Sequence, residues 1–256
     1  ARSLITGKSR MIGLVVAYLD NYFYPEALEL LSSALQKKGY HVLIFMSGNK
    51  EGDIADAVDE ILDYQVDGII AASVSMSSDL AKRCTSAGVP VVLFNRTQDD
   101  DRLSAVTSDN FQGGQKVARF LLAGGHKRIG YIAGWEGAST QRDREKGFTE
   151  ELVRNGQELY AREVGNFNSD EARQAARTMF SKKNFPDAVF VANDAMAIAV
   201  IDVIRFELGL QVPEQVSVVG YDDVPISSWP AYDLTTVRQP ANRMVAETVS
   251  ILIESI

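Results

Sequence analysis

Residues 11–46 read MIGLVVAYLDNYFYPEALELLSSALQKKGYHVLIFM, and this stretch decides the fold. Residues 11–17 are a short β-rich run. Residues 24–38 carry apolar side chains at helical spacing and stop at Gly39, and residues 42–46 are a second β-rich run. Strand, helix closed by glycine, strand is a βαβ unit, whose crossover helix sets the two strands parallel. The same beat continues outward, with helices over 53–64 and 78–87 and strands over 68–72 and 90–94. After Asp109 a helix over 111–123 runs into Gly124-Gly125, a place for the chain to leave one lobe for another. Strands over 128–133, 188–191 and 216–220 then alternate with helices over 140–155, 170–182 and 195–208. Residues 234–237 lead through Gln239-Pro240 into a last amphipathic helix over 241–253. The two series predict an α/β chain of two similar lobes, each a parallel sheet flanked by helices.

Composition narrows the function. The 256 residues are 46% hydrophobic and 23% charged, which is ordinary globular usage for one or two domains. A net charge of −8 lacks the basic surface that phosphate neutralisation requires, so these residues are not themselves a DNA-binding module. The single cysteine, Cys84, forms no internal disulfide, and His41 and His126 supply no ligand cluster. A cytoplasmic protein without metal or cofactor is expected. Asp194 and Asp202 interrupt the longest apolar stretch, so neither a membrane span nor a signal peptide is visible. No dinucleotide fingerprint, phosphate loop or nucleophile elbow occurs, and an enzyme is not expected. His126, in a Gly-Gly-His-Lys-Arg turn, reads as a helix-end residue, and Asp99-Asp100-Asp101 as a solvated turn.

The remaining polar and aromatic residues fall at strand ends or helix starts, where open α/β sheets bind ligands. Phe23 and Tyr24 offer flat faces to a sugar or base ring, or else staple the following helix to the core. Arg96, after Asn95, is a bidentate donor to vicinal hydroxyls or a carboxylate, or else a surface cation. Arg144 lies near the start of a helix, where the macrodipole disfavours a cation, which points to a second use. Of Asn193-Asp194, Asp194 is assigned to the helix N-cap and Asn193 to ligand. Asp222 and Asp223 follow a strand, and one carboxylate there accepts from sugar hydroxyls while the other shapes the loop.

Taken in order, these pieces resemble the effector-binding domain of lactose-repressor (LacI/GalR) family transcription regulators, a fold shared with periplasmic pentose-binding proteins. The similar motifs are Asn-x-Phe-Tyr at Asn21, Val66-Asp67-Gly68, Val89-Pro90-Val91-Val92, Ser108-Asp109-Asn110 and Gly125-His126-Lys127-Arg128. Further along come Arg144-x-x-Gly147-Phe148, Ala192-Asn193-Asp194-x-Met196-Ala197, Val218-Val219-Gly220-Tyr221-Asp222-Asp223 and Leu234-Thr235-Thr236-Val237-x-Gln239-Pro240.

The resemblance implies that Phe23, Tyr24 and Phe167 sandwich the effector ring. It implies that Asn21, Arg96, Arg144, Asn193, Asp222 and Gln239 hydrogen-bond its hydroxyls, with Asn95 and Asp109 also at the pocket. The implied lobes are residues 10–124 with 240–256, and 125–239, with the effector between them. Residues 1–9, opening Ala1-Arg2-Ser3-Leu4, match the end of a hinge to a helix-turn-helix headpiece that would read operator DNA. Helices over 25–38 and 195–208 would serve a homodimer. Position 95 is Asn where sugar-binding relatives usually have Asp, which leaves Arg96 and Arg144 against Asp222 and suggests an anionic sugar derivative, a sugar acid or phosphate. A periplasmic sugar receptor of a transport system is the alternative.

Overall fold

Parallel strands buried on both faces must be apolar along their whole length, and the central strands of this chain, such as residues 68–72, 91–94, 129–133 and 188–191, are. The computed structural model describes residues 8–17, 19–47, 51–74, 76–98 and 103–256. The linker reading of residues 1–7 and the acidic turn at 99–101 lie outside the described residues. Contacts divide the chain into two units. The first comprises residues up to Asp20, Tyr24–Ser108 and Pro240–Ile256; the second comprises Asn21–Phe23 and Asp109–Gln239.

The first unit is a five-stranded parallel sheet in the order β2-β1-β3-β4-β5, formed by β1 (Met11–Val16), β2 (His41–Met46), β3 (Gly68–Ala72), β4 (Val91–Phe94) and β5 (Ser104–Val106). Its helices are α1 (Phe23–Lys37), α2 (Glu51–Asp63) and α3 (Ser78–Ser86). One core lies under α2 and α3, where Val15, Val58, Ile61, Ile69, Leu80 and Cys84 pack together. The sequence missed β5, because Ser-Ala-Val is too short and too exposed to carry a periodic signal.

The second unit repeats the plan in the order β10-β9-β8-β6-β7. Its strands are β6 (Ile129–Ala133), β7 (Ala161–Val164), β8 (Ala188–Val191), β9 (Ser217–Asp222) and β10 (Thr235–Arg238). Its helices are α4 (Asn110–Ala123), α5 (Ser139–Arg154), α6 (Ser169–Phe180) and α7 (Asp194–Asp202); α8 (Ala241–Ser255) returns to the first unit. Tyr131, Phe148 and Phe190 form its aromatic centre, with ring centroids 5.0–5.7 Å apart. The edge strand β7, Ala-Arg-Glu-Val, was also missed, since its side chains are only partly buried and half of them are charged. The single helix expected over 195–208 is instead α7 followed by a π turn, Val203–Glu207.

An aspartate fastens the entry of each unit's first strand. The Asp67 carboxylate, just ahead of β3, accepts from the N–H groups of Ser9 and Arg10 and from the Ser9 hydroxyl. Asp187, just ahead of β8, accepts from the N–H groups of Lys127 and Arg128 and lies 3.2 Å from His126 Nδ1. His126 therefore serves this clamp through its ring and the end of α4 through its N–H, which donates to the Leu121 carbonyl at 3.3 Å.

The boundary expected at Gly124-Gly125 falls instead between Ser108 and Asp109, because α4 belongs to the second unit. Two glycine contacts explain why. A Cβ at Gly114 would stand 2.1 Å from the Arg144 carbonyl oxygen, and a Cβ at Gly147 2.0 Å from the Phe111 carbonyl oxygen. Each helix thus presses its backbone into a glycine of the other, and α4 cannot separate from α5. Gly147→Ala forces the two backbones apart and is expected to lower the unfolding free energy by about 2–3 kcal/mol in urea denaturation; a loss below about 1 kcal/mol would show that the contact is soft.

Candidate functional site

Chains leaving the carboxyl ends of parallel strands must turn sharply, and here several non-glycine residues do so with left-handed backbones. Ser73 after β3 and Asn95 after β4 have φ of 62° and 58°, while Asp222 and Asp223 at the end of β9 have 132° and 59°. Asn166 and Phe167 after β7 have 52° and 58°. Asn and Asp tolerate this region; a phenylalanine there is uncommon, costs about 1–3 kcal/mol, and suggests a functional placement. Its half-buried ring lies against Gly134, where a Cβ would come within 2.2 Å of it.

In the first unit, Tyr24, Asn95 and Arg96 are all buried. Asn95 Nδ2 donates to the Tyr24 hydroxyl at 3.1 Å, and its Oδ1 is buried with no hydrogen-bond partner among the described residues. Arg96 Nη2 donates to Ser73 Oγ at 3.2 Å. Arg96 is therefore not a surface cation, and Tyr24 does more than staple a helix.

In the second unit the polar residues converge on Asp222, which is 4% exposed. Its Oδ1 accepts from Gln239 Nε2 at 2.7 Å and its Oδ2 from Asn21 Nδ2 at 3.3 Å. Asn21 is fixed in turn, because its Oδ1 accepts from the Phe23 N–H at 3.1 Å. Arg144, 2% exposed, brings Nη2 to 3.8 Å from Asp222 Oδ1. Its Nε donates to Asn110 Oδ1 at 2.8 Å, its Nη1 to the Ala192 carbonyl at 2.6 Å, and its plane lies 3.7 Å from the centre of the Tyr221 ring. A buried guanidinium is tolerable only with its donors so placed. Burial pushes the Asp222 carboxyl up, against the opposing pull of Arg144, Gln239 and Asn21.

Two expectations change. Asn193, not Asp194, is the N-cap of α7: its Oδ1 accepts from the Met196 N–H at 3.0 Å. Its Nδ2 is buried without a partner among the described residues, so the same side chain both caps and presents a donor. Asp194 keeps a structural job of another kind, accepting from the Thr236 hydroxyl at 2.6 Å and the Val224 N–H at 3.0 Å. Asp109 is the exposed N-cap of α4, its Oδ1 accepting from the Gln112 N–H at 2.9 Å, and it does not join the buried cluster. Phe23 is buried in the second unit.

Sequence reasoning missed Asn110, Ser73 and Tyr221 as partners of the two arginines. For Asn110 the signal was present, since a polar side chain one residue past an N-cap is spared for other work. Among the described residues no His, Cys, Asp and Glu group could hold a metal ion, and no helix is long and apolar enough to cross a membrane.

Two parallel five-stranded sheets flanked by helices, with polar residues at the strand ends, are the α/β plan of periplasmic binding proteins, and residues 12–228 match the periplasmic binding protein domain. The chain belongs to that family, and within it to the effector-binding domains of LacI-family transcription regulators. It is 29% identical over 261 residues to the HTH-type transcriptional repressor PurR of Pasteurella multocida (strain Pm70), covering 100% of this chain and 77% of that protein. Among solved structures, the transcriptional regulator CelR in complex with cellobiose superposes with a TM-score of 0.87 at 28% identity, over 98% of this chain and 81% of that one. The lac repressor dimer bound to operator and the anti-inducer ONPF gives 0.86 at 26% identity, over 99% and 89%.

Removing the acceptor for Arg144 Nε strands a buried charged donor. Asn110→Ala is expected to cost about 1.5–3 kcal/mol of unfolding free energy, while an exposed control such as Lys146→Ala changes it by less than about 0.5 kcal/mol. Equal effects in urea denaturation would remove Asn110 from its role.

Proposed function

We propose that this domain binds a small polar effector, a sugar or sugar derivative, and that occupancy changes operator binding by a DNA-reading headpiece on the same polypeptide. The observation that carries this reading is the set of buried polar groups at the carboxyl ends of both sheets. Asp222, Arg144, Asn21 and Gln239 are held ready in the second unit, and the Asn193 donor and Asn95 acceptor are buried without partners among the described residues. Burying a polar atom unpaired costs about 1–3 kcal/mol, a cost that a ligand rich in hydroxyls removes. The aromatic residues Phe23, Tyr24 and Phe167 supply ring faces for such a ligand.

The relatives support the regulatory half of the reading. The CelR structure holds a sugar, cellobiose, and the lac repressor structure is a dimer on its operator. By analogy, this chain works in the cytoplasm as a homodimer and binds its effector without turning it over. A transport receptor is not favoured, since the relatives matched over the whole chain carry the name of a transcriptional repressor. The coupling needs no more than two arrangements of the domain that bind effector unequally, because a ligand shifts an equilibrium only by its difference in affinity. Position 95 is neutral, and in this reading Arg96 and Arg144 favour a sugar acid or sugar phosphate over the neutral sugar.

The test is a thermal-shift panel of neutral sugars, sugar acids, sugar phosphates and nucleosides. A ligand at about one hundred times its dissociation constant adds about 2.7 kcal/mol, worth a few degrees at this size. The expected result is a response confined to sugars or their anionic derivatives and abolished by Arg144→Ala. A response to nucleosides alone, or one that Arg144→Ala leaves intact, contradicts the assignment.

A further inference from the structure

Asp222 and Asp194 are two carboxyl groups buried in the same unit, 4% and 0% exposed, and they are not equally provided for. Asp222 has Arg144 at 3.8 Å and two amide donors. Asp194 has the Thr236 hydroxyl and the backbone N–H groups of Asp223 and Val224, but no cation among the described residues, and the charge acting on it is that of Asp222 itself. The remaining charged groups of this region are accounted for. Asp223, on the turn that follows β9, pairs with Arg238 of β10, and Arg144 of α5 is committed to Asn110, the Ala192 carbonyl and the Tyr221 ring. Nor can Asp194 retreat, because a Cβ at Gly220 would stand only 2.2 Å from its Oδ1, so the carboxyl lies against the β9 backbone.

Two carboxylates withdrawn from water, within each other's field and served by a single guanidinium, do not both ionise cheaply. Burial first and the charge of Asp222 second push the Asp194 carboxyl well above the usual range. We infer that Asp194 is a positioning residue that holds a proton beside the ionised Asp222, so that the charge Asp222 offers to a ligand is set by the protonation of its neighbour. The inference rests on Asp222 being a ligand group. The hydrogen bonds permit the neutral acid: Thr236 has a hydroxyl that can accept as well as donate, and the second Asp194 oxygen still accepts from the Val224 N–H. With the proton in place Asp222 remains a carboxylate paired with Arg144. Loss of that proton at higher pH puts a second carboxylate charge, without a cation of its own, into the core.

The folded chain therefore binds more protons than the unfolded chain between the ordinary carboxylate range and the raised one. Stability contributed by this group is present at low pH and declines as pH rises through that interval. The experiment needs no ligand. Aspartate labelled with 13C at the carboxyl carbon is titrated by NMR in the whole chain, in Asp194→Asn and in Asp222→Asn, with urea unfolding at pH 5 and pH 8 alongside. One carboxyl is expected to titrate at least two units above the ordinary value of about 3.9, to vanish in Asp194→Asn, and to move down in Asp222→Asn. Between pH 5 and pH 8 the folding equilibrium constant of the parent chain should fall about tenfold more than that of Asp194→Asn, which keeps both hydrogen bonds. An Asp194 resonance that titrates in the ordinary range, or that ignores Asp222→Asn, overturns the inference. Failure of the ligand panel with the raised, Asp222-dependent titration present would instead strike the effector reading alone.

Discussion

A guanidinium with almost no exposure to water is the constraint on which the second unit is organised. Arg144 reaches in from the first part of α5 and must find partners on every side: Asn110 from α4, the Ala192 carbonyl after β8, the face of Tyr221 on β9, and the Asp222 carboxylate at the end of that strand. Three other elements, α4, β8 and β9, are thereby tied to one side chain of α5. An unpaired buried charge is far more costly than an unpaired amide, so each partner is needed to keep the others in place. The macrodipole argument from sequence gave the right sign for the wrong reason: Arg144 is useful not because its position is slightly unfavourable but because the strands around it are built to receive it.

The glycines make that reception possible. Gly114 and Gly147 let α4 and α5 approach until backbone meets backbone, and a Cβ at Gly113 would stand 2.3 Å from the Tyr221 hydroxyl. Close approach brings Asn110 within 2.8 Å of Arg144 and holds Tyr221 under the guanidinium. The same backbone economy shows at the strand ends, where Asn95, Asp222 and Phe167 hold left-handed conformations that turn their side chains out of the sheet plane as the chain leaves it. Strain of this kind persists where the surrounding structure fixes it, and three residues assigned to ligand are among those that carry it.

Much of the architecture was legible because buried parallel strands declare themselves. Gly68–Ala72 and Val91–Phe94 are continuous apolar runs, and the helices between strands end at glycines such as Gly39 and Gly88. Edge strands β5 and β7 were not, since a strand covered on one side keeps polar residues and loses its pattern. The contact-defined boundary lies ahead of Gly124-Gly125 because of the α4–α5 glycine contacts, which pair residues thirty or more positions apart and leave no local signal. At the site, residue types at strand ends pointed to Asn21, Arg96, Arg144, Asn193, Asp222 and Gln239, all of which are buried. That Asn193 rather than Asp194 caps the helix was invisible, because both side chains can cap and only the contacts of Asp194 with Thr236 and Val224 separate them.

The central claim is that a small polar molecule binds through the cluster around Asp222. Native mass spectrometry of the chain incubated with a bacterial metabolite extract tests it without presupposing the ligand. The account predicts an adduct of small-molecule mass on the parent chain that is lost in Asp222→Asn and weakened in Asn193→Ala, both folded by circular dichroism. No adduct, or one that survives both substitutions, would contradict it.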